Sequence, residues 1–173
     1  MRIIIIGNGG SGKTWLARLL SENTNIKAVH LDDLFWETGS WDIKRPKHEV
    51  LRIINDEVTK EKWIVEGVYG ELASLFLNRA MILIWLDIPW EICKQRIEKR
   101  SADSKMQMGR METEDGLRQL IQWASEYETR TNMRSRIGHR KIFEDCILEK
   151  YRIVNDIELR DVINRITKGL TSR

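Results

Sequence analysis

Residues 2–14 read Arg2-Ile3-Ile4-Ile5-Ile6-Gly7-Asn8-Gly9-Gly10-Ser11-Gly12-Lys13-Thr14. The isoleucine run is β-branched and of strand length. Lys13 to Leu20 continues with apolar residues at 15, 16, 19 and 20, a helical spacing. Between them stands the full pattern G-x-x-x-x-G-K-[ST], which cradles nucleotide phosphates when a strand leads into it and a helix leaves it. The reason is electrostatic. Bare protein cannot desolvate a polyphosphate cheaply. Glycines at 7, 9, 10 and 12 let the backbone turn its N–H groups inward, and the following helix adds the positive end of its dipole. Lys13 suits the β- and γ-phosphates, and Thr14 offers a hydroxyl to Mg²⁺. The cofactor-binding candidates are therefore Gly7, Asn8, Gly9, Gly10, Ser11, Gly12, Lys13 and Thr14, with a nucleoside triphosphate and Mg²⁺ as ligands. A glycine-rich turn without a ligand is the bland alternative.

Working outward, strand and helix patterns alternate. Lys27 to Leu31 reads as a second strand ending at Asp32-Asp33, followed by a tryptophan-rich loop holding Trp36 and Trp41. Pro46 fits the first turn of a helix whose apolar positions 50, 51, 54 and 58 share a face. Trp63-Ile64-Val65 is a third strand closing on Glu66-Gly67, and Met81 to Leu86 a fourth closing on Asp87 and Pro89. A helix runs from Trp90 to about Arg100. Residues 101–115 are polar, contain Gly109, and read as a lid loop. Helical patterns then cover roughly 116–147, Tyr151 to Val154 reads as a fifth strand, and Asp156 to Leu170 as a last helix. This order predicts an α/β fold of the P-loop NTPase kind: a parallel five-stranded sheet, helices on both faces and a small helical lid. Ligands in such sheets bind beyond the carboxyl ends of the strands. Asp32, Asp33, Glu66 and Asp87 all fall there, on the rim that carries the phosphate loop.

Composition sets bounds on this reading. At 173 residues, one domain over 1–173 is the simplest organisation. A net charge of +3 is too mild to imply nucleic acid. The apolar run 81–86 is far too short to span a bilayer. The first strand runs straight into the phosphate loop, so it is not a signal peptide, and a cytoplasmic location is expected. Cys93 and Cys146 are far apart and read as buried free thiols rather than a disulfide or zinc site.

This arrangement resembles the small P-loop kinases of the adenylate kinase and shikimate kinase type. It more closely resembles the bacterial adenylate kinase-related proteins known as DNA topology modulation proteins. The residues that carry the likeness are Ile6 to Thr14, His30-Leu31-Asp32-Asp33-Leu34-Phe35-Trp36, Trp63-Ile64-Val65-Glu66-Gly67-Val68-Tyr69-Gly70, and Leu86-Asp87-Ile88-Pro89 with Cys93, Arg96 and Arg100. The likeness implies an ATP-binding fold with a substrate pocket and a lid, but no particular acceptor and no direct nucleic-acid binding. It departs at the third strand, which in these relatives often ends in Asp-Gly-Asn-Tyr; here Glu66-Gly67-Val68-Tyr69 stands. The Pro-Arg that follows in adenylate kinases proper is also missing, which weakens a reading as AMP phosphorylation.

The resemblance assigns roles residue by residue. Asp32 matches the acid that contacts the accepting hydroxyl in shikimate-type kinases; a helix cap or loop residue is its alternative. Asp33 is a further substrate-side candidate. Glu66 matches the third-strand acid that holds a Mg²⁺-bound water, the alternative being a turn residue before Gly67. Arg96 and Arg100, four apart on one helix face, match lid-hinge arginines that stack on the adenine and reach the phosphates; a solvated basic face is their alternative. Arg110 and Arg118 are further lid candidates.

Four readings come from the residues alone. Asp87 reads as a cap for the helix starting at Trp90. Trp36, Trp41 and Tyr69 lie on substrate-side loops, where stacking on a ring and simple packing explain them equally. Arg130, Arg134, Arg136, Arg140 and Lys141 read as a basic helix with a solvated face by default and a polyanion site as the alternative, and His30, His48 and His139 show no ligand spacing. The leading function is transfer of the γ-phosphoryl group of Mg-ATP to a small hydroxyl or phosphate acceptor, such as a nucleoside or nucleotide. The competing one is a nucleotide-dependent switch or weak ATPase that regulates a macromolecular partner.

Overall fold

Strand β1 (Arg2–Gly7) is the middle strand of the sheet. In the order β2–β3–β1–β4–β5 it is flanked by β3 (Trp63–Gly67) and β4 (Ile82–Leu86), with β2 (Ala28–His30) and β5 (Glu149–Ile153) at the edges. All four pairings are parallel. The computed structural model describes the backbone of residues 1–37, 43–103 and 114–171, and the side chains of these except 100–103 and 168–171. Trp41, Arg110 and most of the expected lid (104–113) lie outside the described residues, as does the side chain of Arg100.

The isoleucine run explains itself through the two-residue period of a strand. Ile3 and Ile5 pack with Leu16, Ala17 and Leu20 of α1 (Lys13–Thr24) and with Leu159, Val162 and Ile166 of α8 (Asp156–Thr171). Ile4 and Ile6 face the other way, onto Val50 and Ile54 of α3 (Lys47–Val58), Ala73 of α4 (Gly70–Ala73) and Ile142 of α7 (Arg136–Asp145). All four isoleucines are fully buried. Both faces being covered by helices, the strand is a continuous apolar run instead of an alternation. Burying each such side chain contributes roughly 1.5–3 kcal/mol. Two of the tryptophans, Trp63 and Trp85, belong to the core, and Cys93 and Cys146 are buried free thiols as expected.

Two helical expectations needed correction. The segment after β2 is not a plain loop: Leu31–Phe35 forms a short helix α2, so Asp32 and Asp33 lie in a helical first turn. The pattern over 116–147 is not continuous either. Helix α6 (Glu114–Ser125) gives way to a 3₁₀ turn at Glu126–Glu128 and an irregular stretch before α7. Polar side chains there compete for backbone groups. Asn132 Oδ1 accepts from the Arg134 N–H (2.9 Å), and Ser135 Oγ accepts from the Gly138 N–H (3.1 Å), capping α7. Helix α5 (Trp90–Asp103) precedes the undescribed segment.

Candidate active site

The phosphate loop closes over the carboxyl end of β1. Gly10 (φ +76°) and Gly12 (φ +98°) take left-handed conformations that a side chain disfavours. A Cβ on Gly10 would also strike the Cys93 carbonyl. Because no side chain caps α1, its first N–H groups are left to a ligand. The loop is tied down from outside. Asn8 Nδ2 donates to Ala124 O of α6 (2.9 Å), and Arg96 Nη1 of α5 donates to Ser11 O (3.0 Å) while its Nη2 binds Asp156 Oδ1 (2.7 Å). Lys13 is buried, with Nζ donating to Asn8 O across the loop (2.7 Å). It would exchange that carbonyl for phosphate oxygens.

Beside the lysine lies an acid. Residues that pair across neighbouring parallel strands project to the same face, and His30 of β2 pairs in register with Glu66 of β3. Both share the face of Ala28 and Ile64, which packs toward α1. Glu66 Oε1 therefore meets two donors, Thr14 Oγ1 (2.9 Å) and His30 Nδ1 (2.7 Å). Burial works to raise the Glu66 pKa, but His30, Lys13 and Thr14 outweigh it and hold the carboxyl below its usual range. The bond to Glu66 correspondingly raises His30 against the opposing effect of burial. Glu66 Oε2 is buried and has no hydrogen-bond partner among the described residues. A hydroxyl and an ionised carboxylate with an uncommitted oxygen are hard donors suited to Mg²⁺, which takes one or two protein oxygens and completes its shell with phosphate and water. Among the described residues no group of three or more His, Cys, Asp and Glu could hold a metal alone.

A second cluster stands at the end of β2. Trp36 Nε1 donates to Tyr69 Oη (2.9 Å), and Tyr69 Oη donates to Asp32 Oδ1 (3.1 Å). Burial raises the Asp32 pKa, with Lys13 opposing, and raises that of the Tyr69 phenol well above its ordinary value. Phe35 stacks on Tyr69 with centroids 4.6 Å apart. Asp33 is exposed, and its carbonyl accepts from Arg45. So Asp32, Trp36 and Tyr69 come together, as do Lys13, Thr14 and Glu66, while Arg118 lies apart, exposed and paired with Asp115.

Several residues differ from their sequence reading. Asp87 is not a cap for α5. Its carboxylate, 3% exposed, is clamped by Arg136 and Arg152, with Nε–O distances of 2.8 and 2.9 Å. These partners lie far away in sequence. The basic run 130–141 is not one solvated helix face. Arg130 stacks on Trp123 (4.0 Å) and Arg136 holds Asp87. Arg134 lies over Phe35 and Tyr69 (4.4 and 4.5 Å) and pairs with Glu71 (Nε–Oε1 2.6 Å). Arg134, Glu71, Trp123, Asn132 and Met133 line a cavity of about 340 Å³. Arg134 thus joins this cavity to the wall around Asp32. No periodicity could have found it, since it sits in a turn.

Beneath the site runs a buried chain. Trp85 Nε1 donates to Tyr127 Oη (3.1 Å), Tyr127 Oη bonds His139 Nδ1 (2.6 Å), and His139 Nε2 bonds Val68 O (3.0 Å). A carbonyl can only accept, so Nε2 carries the hydrogen and Nδ1 accepts from the tyrosine. Burial lowers the His139 pKa to about 4, keeping the ring neutral. The chain braces the backbone that presents Tyr69.

The AAA domain model matches residues 3–118, more than half of the chain. No curated protein sequence gives a significant match. Among solved structures, shikimate kinase from Aquifex aeolicus shares 18% identity with a TM-score of 0.52, each chain covered in full. Shikimate kinase from Bacteroides thetaiotaomicron shares 14% identity with a TM-score of 0.55, covering 99% of this chain and 98% of the other. An uncharacterized protein from Eubacterium ventriosum shares 17% identity with a TM-score of 0.52, covering 97% and 99%. At these identities the likeness is one of fold, the P-loop NTPase fold. The closer resemblance to topology modulation proteins rests on the sequence segments quoted for it and is not shown by these matches. No helix among the described residues is long and apolar enough to cross a membrane.

Proposed function

This chain belongs to the AAA domain family, and on that footing we propose that it is an ATP-dependent phosphotransferase acting on a small hydroxylated acceptor. The observation that carries the reading is the meeting of two clusters on one rim. Asp32 is a partly buried carboxylate whose pKa burial raises against the opposing pull of the phosphate-loop lysine, and Tyr69 donates a hydrogen bond to it. Phosphoryl transfer needs little more: a cradle for the phosphates, charge stabilisation, and a group that aligns the nucleophile and takes its proton.

In this reading the loop N–H groups and Lys13 neutralise charge on the β- and γ-phosphates. Thr14 would hold Mg²⁺ and Glu66 a Mg²⁺-bound water; the ion would supply neutralisation of phosphate charge. Arg96 and Arg100 are assigned to the donor nucleotide, Arg96 from its place against Ser11. Asp32 receives the acceptor hydroxyl, and its raised pKa favours taking a proton. Trp36, Tyr69 and Asp33 belong to the acceptor side, and the cavity lined by Arg134 and Glu71 extends it.

The test is transfer of labelled γ-phosphate from Mg-ATP across nucleosides, nucleotides and small hydroxy acids including shikimate, with hydrolysis measured alongside. One acceptor should be labelled, and Asp32→Asn should lower that transfer roughly 10²–10⁴-fold while ATP affinity stays within a few-fold. Equal transfer by wild type and variant would remove Asp32 from the mechanism. Hydrolysis without transfer to any acceptor would favour the nucleotide switch.

A further inference from the structure

Glu66 is an awkward residue for a metal site. It has one more rotatable bond than aspartate, and holding its carboxylate still costs conformational entropy. The fold meets that cost with a neighbouring side chain to which nothing so far has given a role. His30 is the register partner of Glu66 on the adjacent strand, and its imidazole is about a third exposed. An ionised carboxylate only accepts, so His30 Nδ1 must carry the hydrogen in the 2.7 Å contact with Oε1. Thr14 Oγ1 donates to that same oxygen (2.9 Å). Two protein donors thus occupy Oε1, and Oε2 is left buried without a partner among the described residues.

We infer that His30 is a positioning residue for the metal end of the phosphate site. By clamping Oε1 together with Thr14, it commits one oxygen of Glu66 to the protein and reserves Oε2 for a magnesium-bound water. The inference rests on the reading of Glu66 as the metal-side acid. It assigns His30 no contact with the substrate. Its work is to narrow the orientations of Glu66 before nucleotide arrives, the task that hydrogen-bonding partners perform for metal-ligating carboxylates generally. The alternative, in which His30 merely caps the end of β2, gives the imidazole no influence on metal affinity.

The experiment compares wild type, His30→Ala, His30→Asn and Glu66→Gln. Asn places Nδ2 the same number of bonds from the backbone as histidine Nδ1, so it can rebuild the clamp. Binding of Mn²⁺ to the ADP complex is read by electron paramagnetic resonance. Binding of ADP in excess chelator is measured separately, and urea unfolding checks the fold. His30→Ala should weaken Mn²⁺ binding about 10–100-fold, leave metal-free ADP affinity within about two-fold, and be largely rescued by His30→Asn. Unchanged Mn²⁺ affinity in His30→Ala, equal losses in the Ala and Asn variants, or an equal loss of metal-free ADP binding would overturn the role of His30. Unchanged Mn²⁺ affinity in Glu66→Gln would instead overturn the metal reading of Glu66 beneath it.

Discussion

Replacing Asp87 by asparagine separates two accounts of this residue. As a helix cap, Asp87 would tolerate the change, since asparagine and aspartate cap about equally well and the cost would be a few tenths of a kcal/mol. As the buried anion between Arg136 and Arg152, it would not. The carboxylate is 3% exposed and accepts four N–H groups: Arg136 Nε and Nη2 at 2.8 and 3.0 Å, and Arg152 Nε and Nη2 at 2.9 and 2.6 Å. Breaking a fully buried pair costs about 3–5 kcal/mol. The two arginine side chains are 32% and 43% exposed, so their released charges are partly hydrated, and the asparagine oxygen keeps one bond. A loss of about 2 kcal/mol follows. Urea unfolding followed by tryptophan fluorescence reads it directly, Trp85 lying 5.1 Å from Arg152. Burial raises the Asp87 pKa, but bonding to Arg136 and Arg152 outweighs this and holds it below the ordinary 3.8. The stabilisation is therefore fully present above about pH 3.8 and is lost as pH falls through the lower folded value. The gap between wild type and variant should stay constant from pH 7 to 5 and narrow in stronger acid. A loss under about 0.5 kcal/mol, or a gap indifferent to acid, would refute the clamp.

Lys13→Ala should lower phosphoryl transfer at least about 100-fold, roughly 2.7 kcal/mol of transition-state stabilisation, while urea stability changes little, since among the described residues its Nζ donates to the Asn8 carbonyl alone. Near-normal turnover at saturating Mg-ATP would sink that assignment. Tyr69→Phe strips Asp32 of its donor and Trp36 Nε1 of its acceptor. It should cost about 1–2 kcal/mol of stability and lower kcat more than ATP affinity, which stopped-flow transfer and nucleotide titration would separate; a change in ATP affinity alone would argue against it. His139, held neutral with a pKa of about 4 against an ordinary 6.5, opposes folding as pH falls below 6.5, because only the unfolded chain then takes its proton. Its contribution is a loss of roughly 1–2 kcal/mol between pH 6.5 and 5. His139→Gln should have a flatter stability profile over that interval, and parallel profiles would disprove the effect.

What could be read in advance divides along sequence distance. The phosphate loop was legible because strand, glycines, lysine and threonine are contiguous and each is demanded by the same ligand. The sheet and its buried central strand followed from β-branched runs. Asp87 was misread because Pro89 and the helix at Trp90 imitate a cap site, whereas its true partners, Arg136 and Arg152, lie 49 and 65 residues away. Arg134 was hidden in a turn between two helical patterns, where local polar bonds override periodicity. His30 carried half a signal: it ends one strand as Glu66 ends another. Nothing local says that those strands are neighbours, and the contact appears only once β2 is laid against β3.

The chain from Trp85 through Tyr127 and His139 to Val68 has one further consequence. Its hydrogens all point the same way, from an indole that does not release its own to a carbonyl that cannot pass one on. It therefore behaves as an electrical insulator would beneath a live contact. In the proposed reaction, a proton taken up at Asp32 would have no conducting path through this chain into the core.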